Sequence, residues 1–322
     1  MNIEAIYELI ADDMKLVNAT ILERLQSEIV LINQVGTHII KSGGKRLRPV
    51  IHLLCARAIG YTGRQHIDIA AIIEFIHTAT LLHDDVVDAS ELRRGQETAN
   101  SLWGNEASVL VGDFLYSRAF QMMVKVGDMQ IMAILANATN TIAEGEVQQL
   151  LNVHDPETTE QRYLDVIHNK TAKLFESASE LAAVLNQEGH DAQLSMAKYG
   201  MHLGTAFQLI DDVLDYSASS EEMGKNIGDD LAEGKPTLPL IYTIQNGNQQ
   251  QADIVRTAIE ENGLDQIEEV TKAIHATGAI DYTANCAKNE SQLAIEALSS
   301  IKDSNYKTAL VELAEFAVSR SF

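Results

Sequence analysis

Prolines stand at only four of 322 positions, Pro49, Pro156, Pro236 and Pro239, and this constrains the fold more than any other feature. Long stretches between them contain no residue that must break a helix. Apolar residues recur there at three- and four-residue spacing, over Ile67–Leu82, Ala107–Val124, Ile131–Leu151, Val166–Leu185 and Met196–Leu214. Period-two alternation is hard to find, and no Asn-Gly or Asp-Gly sits between two alternating runs. The pattern predicts an all-α chain of ten or more helices. Breaks are expected at Lys41–Pro49, Gly60–Gln65, Ser90–Asn100, Asn152–Thr158, Gln187–Asp191, Ser217–Pro239 and Gly247–Ala252. The break at Ser217–Pro239 is long, charged and Gly/Pro-bearing, which is how a functional loop reads.

No low-complexity linker divides the sequence, so one large helical domain over residues 1–322 is expected. Lys plus Arg number 24 against 46 Asp plus Glu, a net charge of −22. Such a surface argues against nucleic acid as a partner, though a local basic pocket can still take a small anion. No apolar run reaches about 18 residues, so no transmembrane segment is expected. Two cysteines, Cys55 and Cys286, cannot build a disulfide framework, and the acidic N-terminus lacks the basic start of a signal peptide. The expected location is cytoplasmic.

One internal echo stands out. Thr78-Ala79-x-x-Leu82-x-Asp84-Asp85-Val86-x-Asp88 recurs 127 residues later as Thr205-Ala206-x-x-Leu209-x-Asp211-Asp212-Val213-x-Asp215. Two unrelated helix ends could share this composition by coincidence; two equivalent helices facing one another across a cavity explain the shared upstream residues as well. Carboxylates at i and i+4 lie on one helical face and repel, and a helix C-terminus disfavours anions further. A cationic ligand resolves the conflict. Carboxylate oxygens without Cys or His pairs favour Mg2+ over Zn2+, and Mg2+ leaves coordination positions for water and substrate phosphate.

The cations cluster to match. Lys41, Lys45, Arg46 and Arg48 surround Gly43-Gly44, a composition suited to an anion and lacking the P-loop pattern, though equally that of a solvated basic loop. Arg93-Arg94 follow the first Asp cluster by five residues. Lys170-Thr171, Lys225 and Lys235 complete the set. A phosphorylated substrate held by metal on one side and by Lys and Arg on the other fits this combination.

Six segments carry a resemblance: GGKRLRP (43–49), LLHDDVVDxxxxRRG (81–95), GDFLYSRAF (112–120), KTAKLFE (170–176), FQLIDDVLDY (207–216) and GKNIGDDLAEGKPTLP (224–239). In order and content the sequence resembles the trans-type isoprenyl diphosphate synthases, most of all the bacterial octaprenyl-forming group. The resemblance implies an all-α single bundle around a deep central cavity, a homodimer, Mg2+ dependence, and condensation of isopentenyl diphosphate with an allylic diphosphate such as farnesyl diphosphate. It implies that Asp84 and Asp88, with Asp85 assisting, bind two Mg2+, and that Asp211 and Asp215, with Asp212, bind a third. It assigns the allylic diphosphate to Arg93, Lys170, Thr171, Gln208, Lys225 and Lys235, and isopentenyl diphosphate to Lys45, Arg48, His77 and Arg94. His77 precedes Asp84 by seven residues and so projects within about 20° of it on a helix; a packed core histidine would look the same.

In that family bulky aromatics about one turn before the first Asp cluster plug the cavity and shorten the product. Here Ala79 and Thr80 stand there, which predicts a long product of octaprenyl length for a quinone side chain. Helix geometry places Thr80 about 40° and Ala79 about 140° from Asp84, while the family points to both, so both stay candidates. Phe75, about 180° away, should not obstruct. Ile76 and Ile73 offer apolar walls further along, and Met122 or Met123 a floor, although ordinary core packing accounts for either methionine. Shorter- or longer-chain synthases are the near alternatives. A class I terpene cyclase needs no second diphosphate site, and its second metal motif is matched only by Asp253, Thr257 and Glu261 without the following acid. A non-enzymatic helical scaffold explains the acidity but not the paired clusters.

Overall fold

The computed structural model describes residues 3–217, 228–261 and 263–319, and it is all-α apart from one two-residue-stranded hairpin. The described chain gathers into two compact units, each assembled from three separate stretches. Neither is a contiguous sequence domain, which is why no linker was visible.

The first unit comprises Met1–Thr139, Leu174–Ala197 and Leu298–Glu312. It opens with α1 (Ile3–Leu9), α2 (Ala11–Leu25), α3 (Val30–Lys41) and α4 (Leu47–Ala58). Its centre is α5 (Gln65–Val87), buried at Ile69, Ala70, Ile72, Ile73, Phe75 and Ile76, on nearly all sides over its first half. A helix apolar all round belongs in a core. α6 (Ala99–Trp103) and α7 (Asn105–Val126) follow. α7 lies close against α5: Ser108 Oγ donates to the Leu82 carbonyl at 2.8 Å, and a Cβ on Gly112 would run into the His83 ring.

The structure departs from two of these expectations. The break at Lys41–Pro49 is shorter than read, because α4 already begins at Leu47 and Pro49 sits in its first turn, where a missing N–H is harmless. Within Ser90–Asn100, Leu92–Arg93 pairs antiparallel with Gln96–Glu97. The turn residues Arg94 and Gly95 have φ 54 and 73, the left-handed pair of a tight hairpin. Arg-Gly stands here in place of the usual Asn-Gly, so the turn carries no hairpin dipeptide signal in the sequence.

The second unit comprises Asn140–Lys173, Lys198–Ala297 and Leu313–Phe322. Its helices are the latter part of α8 (Met129–Asn152), α9 (Glu160–Ile167), most of α11 (His190–Ser217), α12 (Asp229–Ala232), α13 (Leu238–Asn246), α14 (Gln249–Glu260), α15 (Ile267–Thr277), α16 (Ala279–Ala297) and the end of α17 (Asn305–Ser319). Val213, Tyr216, Leu240, Val255, Val270 and Ile274 form one core cluster. The Val166–Leu185 run is not one regular helix: between α9 and α10 (Lys173–Leu185), residues His168–Ala172 make a π-helical turn. Such insertions tend to occur at functional sites.

Candidate active site

Among the partly exposed residues of α5 and its C-cap, Glu74, His77, Leu81, Asp84 and Asp88 are spaced three and four apart, with Thr80 beside them. This stripe carries the first carboxylate cluster. Asp84 and Asp88 keep open faces, and Asp88 caps the helix. Asp85 points the other way and is fully buried. Arg93 grips it, Nε donating to Oδ1 at 2.8 Å and Nη2 standing 2.7 Å from the same oxygen. Burial raises the Asp85 carboxyl; Arg93 pulls it back, and Asp84 and Asp88 push it up again. Asp85, expected to assist a metal, is thus paired with Arg93, the residue expected on the allylic diphosphate.

The basic loop folds onto the same helix. Gly43 and Gly44 take φ 81 and 137, and Arg46 takes φ 44, a conformation that disfavours side chains. A Cβ on Gly44 would collide with the Arg94 guanidinium, which donates to the Gly43 carbonyl. Arg46 donates to Asn18 Oδ1, and its Nε stands 3.9 Å from Glu74 Oε1. Arg48 lies over the Phe175 ring at 4.4 Å and places Nη1 3.1 Å from His77 Nε2. Burial, then Arg48, Arg94 and Arg93, hold the His77 imidazole well below its usual range, so the ring is neutral. A guanidinium can only donate, so Nε2 accepts and Nδ1 carries the proton. Arg48, His77 and Arg94 are therefore brought together. Lys45 is exposed, its carbonyl accepting from Tyr7.

The second cluster ends α11 in the second unit. Asp212 is buried, receiving Tyr163 Oη at 2.5 Å and Gln208 Nε2 at 2.8 Å. Thr171 Oγ1 donates to Gln208 Oε1 at 3.2 Å, so a chain of hydrogen bonds runs from the π-turn to the aspartate. Burial raises the Asp212 carboxyl well above its usual range, and the nearby Asp230 adds to the rise against the two donors. Asp215 accepts from the Asp230 N–H at 3.3 Å, and Asp211 stays partly exposed. Lys170 projects from the π-turn to Glu146 Oε2 at 2.6 Å and Gln149 Oε1 at 2.7 Å. The turn sits against Gly145, where a Cβ would come within 2.7 Å of the Lys170 nitrogen. Lys235 pairs with Glu233 and its N–H donates to the Asp230 carbonyl at 2.8 Å. Lys225 lies outside the described residues.

Among the described residues no three His, Cys, Asp or Glu side chains converge as a closed metal cage. The partly exposed carboxylates Asp84, Asp88 and Asp211 are of the kind that suits Mg2+, which binds through one or two carboxylates and leaves the rest to water and phosphate, whereas Asp215 is buried. Of the chain-length candidates, Ala79, Met122 and Met123 are buried, as are Ile73 and Ile76, whereas Thr80 is partly exposed with Oγ1 bonded to the His77 carbonyl.

Residues 29–277 match the family model for polyprenyl synthetase. The chain belongs to the polyprenyl synthetase family. It is 53% identical over 321 residues, 99% of both chains, to octaprenyl diphosphate synthase of Escherichia coli. An all-trans-nonaprenyl-diphosphate synthase (geranyl-diphosphate specific) from Rhodobacter capsulatus is 46% identical over 97% of this chain and 96% of its own. The crystal structure of a polyprenyl synthase from Caulobacter crescentus, complexed with calcium and isoprenyl diphosphate, superposes with a TM-score of 0.95 at 43% identity, covering 99% and 98% of the two chains. This polyprenyl synthetase is a prenyltransferase with the all-helical architecture of its relatives. Sequence reading missed Glu74, Gly145, Tyr163 and Asp230. Only Asp230 carried a signal, as half of the Asp229-Asp230 pair between the two lysines.

Proposed function

We propose that this chain, as one domain over residues 1–322, condenses isopentenyl diphosphate repeatedly with an allylic diphosphate to make an all-trans octaprenyl diphosphate for a quinone side chain. The observation that carries the reading is the pairing, along one helix, of the partly exposed, metal-suited Asp84 and Asp88 with a separate basin of Arg48, Arg94 and neutral His77. A cyclase would have no use for that basin. The octaprenyl relative at 53% identity supports the length, and the calcium- and diphosphate-bearing Caulobacter structure supports the ligand class.

In this reading Asp84, Asp88, Asp211 and Asp215 hold Mg2+, which when bound neutralises the leaving diphosphate. Lys170, set by the π-turn, and Lys235 take up charge on the allylic diphosphate as its C–O bond ionises. Thr171 and Gln208 hold the underlying aspartate in place. Arg48 and Arg94 fix the diphosphate of isopentenyl diphosphate, and His77 can donate from Nδ1. Holding the double bond near the allylic carbon converts a bimolecular step into an effectively unimolecular one. The proton then leaves, to the released diphosphate.

The protein is proposed to act as a cytoplasmic homodimer. Leu110 and Val124 on α7 are each 66% exposed and lie about 40° apart around the helix, an apolar face for a second copy. No helix among the described residues is long and apolar enough to cross a membrane. The deciding experiment incubates the protein with farnesyl diphosphate, labelled isopentenyl diphosphate and Mg2+, and chromatographs the product. Diphosphate release that needs both substrates supports the reading; release from the allylic substrate alone indicates a cyclase, and none from either indicates a scaffold. Lys45→Ala or Arg48→Ala should raise KM mainly for isopentenyl diphosphate and Lys225→Ala mainly for the allylic substrate.

A further inference from the structure

Glu74 belongs to none of the motifs, yet it lies on the accessible stripe of α5, three residues before His77. Its side chain is only 14% exposed, and its Oε2 is sealed from solvent without a hydrogen bond. Arg46 stands at 3.9 Å from the other oxygen, and Arg48 and Arg94 act on the same carboxyl. A buried carboxylate in loose contact is a poor stabiliser, and an apolar side chain of similar size usually serves a core as well or better. The position makes sense through the cations around it. Arg46, Arg48 and Arg94 would repel one another if left alone in this basin. One carboxylate reduces three positive charges to 3 − 1 = +2, which keeps the basin attractive to a diphosphate while holding the guanidiniums apart. Arg46 keeps its side chain there despite φ 44, tethered between Asn18 and Glu74.

We infer that Glu74 is a positioning residue for isopentenyl diphosphate: its carboxylate spaces Arg46, Arg48 and Arg94 so that their N–H groups are aimed before the substrate arrives. Groups fixed in advance need no reorganisation on binding. The inference rests on the reading of this basin as the isopentenyl diphosphate site.

The test titrates isopentenyl diphosphate calorimetrically, without allylic substrate, into full-length wild type, Glu74→Gln and Glu74→Asp, with steady-state kinetics beside it. Glutamine keeps the shape and removes the charge. In Glu74→Gln the Kd and KM for isopentenyl diphosphate should rise roughly tenfold, the scale of a lost charge-assisted arrangement. KM for farnesyl diphosphate should stay within about twofold, and aspartate should recover part of the loss. Unchanged affinity for isopentenyl diphosphate overturns the inference, as does a parallel loss for both substrates, which a merely structural role would give. If the glutamine variant does not fold, the aspartate variant decides on the same two readouts, with a several-fold selective loss expected. A wild-type protein that does not bind isopentenyl diphosphate removes the site reading itself; wild-type binding with an unaltered glutamine variant removes only the role of Glu74.

Discussion

The ends of α5 and α11 carry the same eleven-residue pattern, yet the two aspartate clusters are anchored by different physics. In both, Thr, Ala, Leu and the second aspartate are buried: Thr78, Ala79, Leu82 and Asp85 in one, Thr205, Ala206, Leu209 and Asp212 in the other. In both, the first aspartate of the pattern stays partly exposed. The difference lies in what holds the buried aspartate. Asp85 has a cation, Arg93, at 2.7 Å. Among the described residues Asp212 has the neutral donors Tyr163 and Gln208, and another acidic residue, Asp230, nearby. The first inward aspartate is thus held as an ion pair, and the second as a hydrogen-bonded carboxyl whose burial favours its protonated form. The repeat therefore turns its second aspartate inward in both copies without setting how that charge is met, because the partners come from elsewhere in the chain, and the last aspartate diverges, Asp88 partly exposed and Asp215 buried.

The largest expected effect tests whether the outward aspartates are equivalent despite that difference. Asp84→Ala and Asp211→Ala should each lower kcat by several orders of magnitude while leaving the helical circular dichroism intact. Repulsion inside each cluster predicts no loss of stability without substrate. Near-normal turnover in either variant would break the equivalence.

The inward aspartates should diverge. Asp85→Asn leaves Arg93 without its counter-ion and should destabilise by about 1–3 kcal/mol. Asp212→Asn keeps hydrogen-bonding groups toward Gln208 and Tyr163, whose hydroxyl can turn to accept, and removes repulsion from Asp230. Its stability should stay within about 1 kcal/mol of wild type. Denaturant unfolding of the two variants reads the difference, and equal losses would contradict the distinct anchoring.

The helices were legible because apolar spacing and scarce prolines are local properties. The spacing of Asp84, Asp88, Asp211 and Asp215 was legible for the same reason. What stayed hidden depends on contacts remote in sequence. Tyr163 reaches Asp212 across 49 positions. Gly145 matters only because the π-turn at Lys170 comes against it. Glu74 read as an ordinary polar residue in an apolar run until the Arg46 loop folded over it. The pairing of Arg93 with Asp85 spans eight residues, a spacing that no helix brings together; the hairpin does so.

Within the repeated stretch the two copies differ at four positions, Thr80/Phe207, Leu81/Gln208, His83/Ile210 and Val87/Leu214. At the shared offset Thr80 corresponds to Phe207, so α11 has an aromatic where α5 has a small residue. Thr80 is partly exposed, whereas Ala79 is sealed in the core. Thr80→Phe copies the α11 pattern onto α5 and should shorten the product made from farnesyl diphosphate. Ala79→Tyr instead overpacks a buried position and should act first on stability. Unchanged length with activity retained in Thr80→Phe would show that the growing chain runs elsewhere.

The smallest difference is one of protonation. The buried titratable groups of the first unit include histidines held neutral, whereas Asp212 in the second is an acid pushed toward its protonated form. These have opposite signs. A raised folded-state carboxyl stabilises most at low pH and loses that contribution as pH rises through its folded value. His52 does the reverse. Its Nδ1–H donates to the Ala178 carbonyl at 2.7 Å, and burial depresses the imidazole from 6.5 to about 4. Between those values the unfolded chain binds a proton that the folded one refuses, so stability is complete above pH 6.5 and falls toward pH 4. The slope is at most about 1.4 kcal/mol per pH unit for one such group. His52→Gln, which cannot titrate, should flatten the pH dependence of unfolding by that amount between pH 6.5 and 5, relative to wild type. Parallel curves for the two proteins would show that His52 does not govern the acid response of the first unit.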